Sequence, residues 1–474
     1  AQGESERKSM NNETRRVPEE EILRQKEIMA RVRGMLPAGR KYHIVTLGCQ
    51  MNVRDSETLA GMLTEMGFTE AATREKADLI LYNTCCVREN AENKALGNVI
   101  WLKELKKDKP ELIICVGGCM TQEEGMAESL IRQYPFIDLV FGTHNAYRFP
   151  EYLEKVLSDR VQVFEVLDTG GTICEGLPEK RSNPYFGFVN IMYGCNNFCS
   201  YCIVPYVRGR ERSREMDDIL DECKRLRDAG AREIMLLGQN VNSYMGGGAK
   251  FAELLYRVDA LDIPRVRFMT SHPKDLSDEL IAAYGELRHL MPNLHLPVQA
   301  GNDEILKRMN RHYDREKYLS LVRRLRAVRP DIGLTTDVIV GFPGETEAQF
   351  EDTLSLVREV RFDAAYTFIY SPRAGTRAAE MDDPVSMEEK TERIQRLIAL
   401  QQSITSEVLA SQIGQIQPVL VDSVSTRSEQ TIGGKTPRAH MVNFPGSAER
   451  IGQTVPVRIT SAGKNTLRGE AVEG

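Results

Sequence analysis

Three cysteines, Cys195, Cys199 and Cys202, lie on one short run, Tyr193-Gly-Cys-Asn-Asn-Phe-Cys-Ser-Tyr-Cys202, with the spacing Cys-x3-Cys-x2-Cys. Thiolates are soft ligands, and three on one loop suit three corners of an iron–sulfur cluster, whose remaining iron is then free to bind something other than protein. That open iron would be the chemical centre. A zinc knuckle is the alternative, but zinc sites usually combine two Cys-x2-4-Cys or Cys/His pairs, and no fourth ligand lies near in the sequence.

The remaining cysteines gain meaning from the elements that carry them. From Lys41 onward, apolar strand-like runs alternate with helical stretches: Tyr42 to Leu47, Leu79 to Tyr82, Leu112 to Val116 and Ile137 to Phe141. Such alternation predicts an open parallel sheet. Cys49 follows the first strand, Cys85 and Cys86 the second, and Cys119 the third. Ligands bind in the crevice beyond the carboxyl ends of such strands, so these cysteines, distant in sequence, converge on one rim and point to a second cluster. Packing of small thiols at turns is the competing explanation.

A Gly- and Pro-containing stretch from about Asp168 to Pro184 reads as a linker. Beyond it, strands are expected at Phe186 to Tyr193, Glu233 to Leu237, Val266 to Thr270, Leu294 to Val298, Leu334 to Val340 and Ala365 to Tyr370. Six βα units imply a partial barrel with its reactive face at the strand carboxyl ends, and the cysteine loop follows the first strand. Gln239, Asn240, Ser271, Gln299 and Gly341, the last opening a turn that runs to Thr346, stand at such ends as candidate ligand contacts. Ser271 and Thr346 could equally cap helices, and the glycines could serve turns.

Five short β-prone runs after about Ile413, punctuated by Gly and Pro, predict a small barrel. This tail is locally basic, with Arg427, Lys435, Arg438, Arg450, Arg458, Lys464 and Arg468, and with Phe444 as a stacking candidate; RNA binding fits it, as does a solvated basic face. Arg208, Arg210, Arg212 and Arg214 alternate just after the cysteine loop, where they could hold phosphates or simply meet neighbouring carboxylates.

The chain has 474 residues, 41% of them hydrophobic, enough for several cored domains. It contains no run of the roughly 18 to 20 apolar residues that a membrane span needs and no signal-peptide pattern, so a cytoplasmic protein without a membrane partner is expected. Ten cysteines in such a setting favour metal or redox use over disulfides. A net charge of −6 confines any nucleic-acid contact to a local surface. A helix over about Glu19 to Arg33 has only a weak apolar stripe and reads as part of a mobile arm or as a docking helix.

The run Tyr193 to Arg214 resembles the signature of the radical S-adenosylmethionine methylthiotransferases. Leu47-Gly-Cys-Gln-Met-Asn52, Asn83-Thr-Cys-Cys-Val-Arg-Glu-Asn-Ala91 and Gly117-Gly-Cys-Met120 resemble the cluster motifs of that family's amino-terminal domain, and Gly434-Lys-Thr436 with Met441-Val-Asn-Phe444 resembles its TRAM domain. The resemblance implies a helical or flexible arm over 1–40, an open parallel α/β sheet over 41–160, a central partial (β/α)6 radical SAM barrel over 181–411 and a small TRAM-like β-barrel over 412–474. It implies two [4Fe–4S] clusters: a radical-generating one on Cys195, Cys199 and Cys202, which binds S-adenosylmethionine, and an auxiliary one on Cys49, Cys85 and Cys119, which delivers sulfur. The family pattern places the ligand directly after Asn-Thr, which selects Cys85 over Cys86. Cys115, Cys174 and Cys223 are read as non-ligands. Gln239, Asn240, Ser271, Gln299 and Gly341 become expected S-adenosylmethionine contacts.

Gln50-Met51-Asn52, Leu237-Gly-Gln-Asn-Val-Asn-Ser-Tyr244, Ser271-His-Pro273 and His295-Leu-Pro-Val-Gln299 resemble the branch that adds a methylthio group to carbon 2 of N6-dimethylallyladenosine next to the tRNA anticodon, consuming two S-adenosylmethionine molecules. The resemblance implies as partners that tRNA and an electron donor such as flavodoxin or ferredoxin, and a monomer is expected. Sister branches acting on a ribosomal-protein aspartate or on threonylcarbamoyl-adenosine are the alternative enzymes. A two-cluster electron carrier or iron–sulfur scaffold is the alternative of another class. Pro437-Arg-Ala-His440 departs from the Asn/Arg-rich stretch of the family pattern.

Overall fold

The computed structural model describes residues 16–86, 89–167, 171–425, 428 and 430–472, with side chains throughout except at 89–96. Residues 1–15 of the expected arm, Val87 and Arg88 of the second cysteine motif, 168–170 of the linker, and Arg427 and Glu429 of the tail lie outside the described residues. The chain divides into two compact units. One comprises residues up to Ser182 with Asn190–Asn196 and Ile203–Arg214; the other comprises Asn183–Val189, Asn197–Cys202 and Glu215–Gly474.

The first unit is built on β1 (Lys41–Thr46), β2 (Thr69–Glu70), β3 (Leu79–Thr84), β4 (Ile113–Gly118), β5 (Leu139–Phe141) and β6 (Val163–Glu165), in the order β2-β1-β3-β4-β5-β6. Every pairing is parallel. Strand β3 is buried from end to end, as a strand covered on both faces must be. Leu79 and Leu81 join Cys115 and Phe141 on one face, whereas Ile80 and Tyr82 join Ile114 and Val116 on the other. Burying each such side chain contributes about 1.5–3 kcal/mol. Helix Glu19–Met35 supplies Ile28, Met29 and Val32 to the first face, so the weak stripe belongs to a docked helix. The edge strands β2 and β6 carry too few residues for any period to show in the sequence.

A strand stands at or beside each of the six expected places: β7 (Phe186–Asn190, ending short of the expected Tyr193), β8 (Glu233–Leu237), β9 (Arg265–Phe268), β10 (Asn293–His295, against the expected Leu294 to Val298), β11 (Gly333–Val340) and β12 (Ala364–Ile369), all but Asn190 in the second unit. They form two sheets, β9-β8-β7 and β10-β11-β12, and Val266 of β9 makes a parallel bridge to Leu290 just ahead of β10. The break falls at β10, which Pro292 and Pro297 keep short, because proline lacks the N–H a ladder needs.

In the same unit, β13 (Ile416–Val424), β14 (Thr431–Lys435), β15 (Met441–Pro445), β16 (Thr454–Ala462) and β17 (Leu467–Ala471) close into a barrel, in the order β13-β14-β15-β17-β16. Val419, Ile432, Val442, Val457 and Ile459 fill it. Phe444, expected as a stacking side chain, is 1% exposed within that core and offers no ring to a base. Among the described residues, no helix is long and apolar enough to cross a membrane.

Candidate functional site

In the first unit the cysteines after β1, β3 and β4 come together. Close approach is possible because glycine precedes two of them. Gly48 has φ +112°, and a Cβ there would stand 2.6 Å from Cys85 Cβ; Gly118 has φ +104°, and its Cβ would meet Thr84 O at 2.4 Å. Any larger residue would push the strand ends apart.

Asn52, fully buried in the first turn of helix Gln50–Glu65, ties the ends together. Its Nδ2 donates to Leu47 O at 2.7 Å and Thr84 O at 2.8 Å, and its Oδ1 lies 3.9 Å from both Cys49 Sγ and Cys119 Sγ. Asn83 Nδ2 donates back to Asn52 O at 2.8 Å and to Ser56 Oγ at 3.0 Å, and Thr84 Oγ1 donates to Gly117 O at 2.6 Å.

Arg208 completes this cradle. It is 6% exposed and donates from Nε to Cys119 Sγ at 3.1 Å, and from Nη2 to Asn52 Oδ1 at 3.0 Å and Asp55 Oδ2 at 2.7 Å. A hydrogen bond from Cys86 and the charge of Arg208 together outweigh burial and bring the Cys119 thiol down to about 6. Cys86 is pushed up well above the usual thiol range, first by that bond and then by burial. Cys86 is packed with Cys119 under Ile203 and Val207, so it stands in the cradle beside the sequence-selected Cys85. Among the described residues, no three His, Cys, Asp or Glu side chains close on a single metal ion. Three convergent thiols beside a buried cation are instead a donor set that fits an anionic iron–sulfur cluster.

Of the Cys-x3-Cys-x2-Cys loop, Cys195 belongs to the first unit, where its N–H donates to Gly209 O at 3.1 Å; Cys199 and Cys202 belong to the second. There the loop is pinned by the segment after helix Asp303–Arg308. Ser200 Oγ donates to Arg308 O at 2.9 Å, and Asn310 Nδ2 donates to Asn197 O at 3.2 Å and Phe198 O at 2.9 Å. Arg311 Nη1 donates to Cys199 Sγ at 3.3 Å while its Nη2 holds Pro297 O at 2.9 Å.

At the carboxyl ends of β8 and β9, several buried polar atoms have no hydrogen-bond partner among the described residues: Asn240 Oδ1, Asn242 Oδ1, Ser271 Oγ and His272 Nε2. Asn240 Nδ2 is held by Asp275 at 2.7 Å, and His272 Nδ1 accepts from Lys274 N at 3.2 Å. Burial, with Arg311 and Lys274 nearby, keeps His272 neutral, so its proton is on Nε2. Each orphan costs about 1–3 kcal/mol until satisfied, which fits a polar ligand such as S-adenosylmethionine.

Gln239 follows β8 directly. Gln299, at φ +71°, uses its backbone between Asp337 O and Ile339 N, each at 2.9 Å. Gly341 has a packing reason: its N–H donates to Glu345 Oε2 at 2.7 Å, and a Cβ would strike Lys390 Cγ at 2.3 Å. Thr346 is the N-cap of helix Glu347–Val360. Sequence reasoning missed the anchoring roles of Asn52, Asp55, Asn310 and Arg311.

The basic segments also turn inward. Arg214 pairs with Glu175 and donates to Asn190 O at 2.6 Å, and Arg212 Nη1 donates to Arg210 O at 2.7 Å. In the second unit Arg265 holds Lys435 O and Pro418 O at 2.7 and 2.6 Å, and Arg267 holds Pro437 O and Thr436 O at 2.8 and 3.0 Å. Arg438 grips the buried Asp363 through both carboxylate oxygens, and His440 Nε2 lies 2.7 Å from the same group. The departing stretch Pro437 to His440 thus docks the tail on the barrel, with the Arg438 guanidinium committed to Asp363. Arg458, Lys464 and Arg468 remain exposed.

Three family models match the chain: the Radical SAM superfamily at residues 189–357, Uncharacterized protein family UPF0004 at 41–142 and the TRAM domain at 410–472. A tRNA-2-methylthio-N(6)-dimethylallyladenosine synthase of Thermoanaerobacter sp. (strain X514) is 50% identical over 463 residues, covering 96% of this chain and 98% of the relative. Its counterpart in Clostridium botulinum (strain Okra / Type B1) is 50% identical over 436 residues, covering 91% and 97%. Among solved structures, the radical S-adenosylmethionine methyltransferase TsrM of Kitasatospora setae, with cobalamin and a [4Fe-4S] cluster bound, matches with TM-score 0.52 and 15% identity, covering 72% of this chain and 77% of that one. That last likeness speaks for the fold alone.

Proposed function

The chain belongs to the family of the tRNA-2-methylthio-N6-dimethylallyladenosine synthases, and from that premise we propose that it adds a methylthio group to carbon 2 of N6-dimethylallyladenosine in tRNA. The observation that carries this reading is the convergence of Cys49, Cys85 and Cys119 in a cradle knit by Asn52, in a chain that also has the Cys-x3-Cys-x2-Cys loop. Two sets of three thiols give two cluster sites, each one ligand short. An electron carrier has no need of such gaps.

Family members use two [4Fe–4S] clusters and S-adenosylmethionine. When bound, the group on Cys195, Cys199 and Cys202 with S-adenosylmethionine supplies radical chemistry for a C–H bond too weakly acidic for a side-chain base, and the group on Cys49, Cys85 and Cys119 supplies sulfur. The protein's own residues bind and orient. Arg311 holds Cys199, Asn310 fixes the loop backbone, and Asn240, Asn242, Ser271 and His272 present unsatisfied polar atoms to S-adenosylmethionine. The exposed tail residues Arg458, Lys464 and Arg468 meet RNA phosphates. A cytoplasmic monomer receiving electrons from a flavodoxin- or ferredoxin-type donor completes the proposal.

The test is anaerobic reconstitution with iron and sulfide, then reduction with S-adenosylmethionine and N6-dimethylallyladenosine-containing tRNA, followed by nucleoside mass spectrometry. The methylthio product with 5′-deoxyadenosine is expected. 5′-Deoxyadenosine alone would redirect the search to the substrates of the sister branches, and neither product from cluster-loaded protein would return weight to the carrier reading.

A further inference from the structure

We propose that Arg208 is the charge-compensating and positioning residue of the Cys49–Cys85–Cys119 cradle, with Asp55 as its counterweight. This rests on the reading of that cradle as a cluster site.

Arg208 lies in an arginine-rich run that sequence alone would leave to solvent or phosphate. Yet its side chain is buried, and among the described residues its guanidinium donates to the cradle: to Cys119 Sγ at 3.1 Å, Asn52 Oδ1 at 3.0 Å and Asp55 Oδ2 at 2.7 Å. A guanidinium removed from water needs its N–H groups compensated, and the carboxylate on Nη2 leaves Nε–H for a further electron-rich acceptor, which is the Cys119 sulfur. The same fork joins two separate strand ends, since Asn52 and Asp55 belong to the helix behind Cys49 whereas Cys119 follows β4. Arg208 therefore fixes where Cys119 stands relative to Cys49 and places a positive charge and an N–H···S bond beside the site.

Net charge and hydrogen bonds to sulfur are among the factors that set iron–sulfur reduction potentials. A cation donating to a ligand sulfur stabilises the reduced, more negative state and raises the potential. Asp55, one bond further out, opposes it. Removing either charge must therefore move the potential in opposite directions, whereas a purely structural role would disturb it the same way from both sides.

The experiment uses the full chain with Cys195, Cys199 and Cys202 all changed to Ala, so that only the cradle can load, and follows its reduction by EPR-monitored redox titration. Expected are a shift to more negative potential in Arg208→Gln, a shift to more positive potential in Asp55→Asn, and an intermediate value in Arg208→Lys. Should Arg208→Gln keep its fold but lose the cluster, Arg208→Lys and Asp55→Asn still supply the two signs. Unchanged potentials, or shifts of the same sign, overturn the proposal. Failure of the Arg208-bearing parent to load any cluster would instead overturn the cradle reading itself.

Discussion

The cysteine cradle of the first unit and the strand-end rim of the second solve opposite problems. In the cradle, Asn52, Asn83, Thr84 and Arg208 spend their polar groups on one another and on the backbone. At the rim, Asn240, Asn242, Ser271 and His272 keep buried polar atoms without partners among the described residues. A site that must hold ligands rigidly is completed by the fold; a site that receives a diffusible molecule leaves part of its bonding to that molecule.

The largest effect should come from the cradle's own thiols. Cys49→Ala is expected to abolish methylthio product, a loss beyond the roughly 10–100-fold typical of changes one shell out, while 5′-deoxyadenosine is still formed. Cys199→Ala should abolish both, and product analysis by mass spectrometry separates the two patterns. Next, Asn52→Ala should lower both Tm and iron content, because it takes the Asn52 donor from Leu47 O, at about 1–3 kcal/mol for a buried group, and leaves Thr84 O with the Cys119 N–H alone. Calorimetry of the cluster-free protein and iron analysis after reconstitution check it.

The rim should behave in reverse. Ser271→Ala removes a hydroxyl that has no partner among the described residues, so Tm should hold steady while the S-adenosylmethionine Kd rises about tenfold, the worth of one net hydrogen bond. Equilibrium dialysis and melting curves on one preparation read both. A fall in Tm with unchanged Kd would erase the contrast.

The smallest effect concerns pH, and it also has opposite signs in the two units. Burial, with Arg212 and Arg208 nearby, takes His144 down to about 4. The unfolded chain then binds the extra proton between about 4 and the ordinary histidine value, so this group makes the first unit more stable as pH rises through that window. Burial takes Glu345 up to about 7 against the pull of Gly341 N–H and Arg393. The folded state holds the extra proton there, and the second unit loses stability as pH rises from the ordinary carboxylate value to about 7. His144→Gln should flatten the first slope and Glu345→Gln the second, in melts recorded from pH 4.5 to 7.5.

Much of this was legible in the chain. Most barrel strands were readable from an apolar run, the fourth being cut to Asn293–His295 against the expected Leu294 to Val298, and each cradle cysteine from its place after a strand. The rest depended on contacts that no local pattern encodes. Arg208 looks solvated among its neighbours until the fold brings Asp55, 153 positions earlier, against it. Phe444 resembles a stacking residue until barrel closure buries it. The sequence rule that basic segments face solvent failed wherever burial of a carboxylate, as at Asp363, demanded a cation more strongly than RNA could.

The docking of Pro437 to His440 on Arg265, Arg267 and Asp363 makes the tail barrel a bracket rather than a leash. A strand of RNA lying along Arg458 and Arg468 would be presented to the (β/α)6 strands at a fixed offset, as work is held in a jig, and how far a base can reach would be set by the RNA's own backbone.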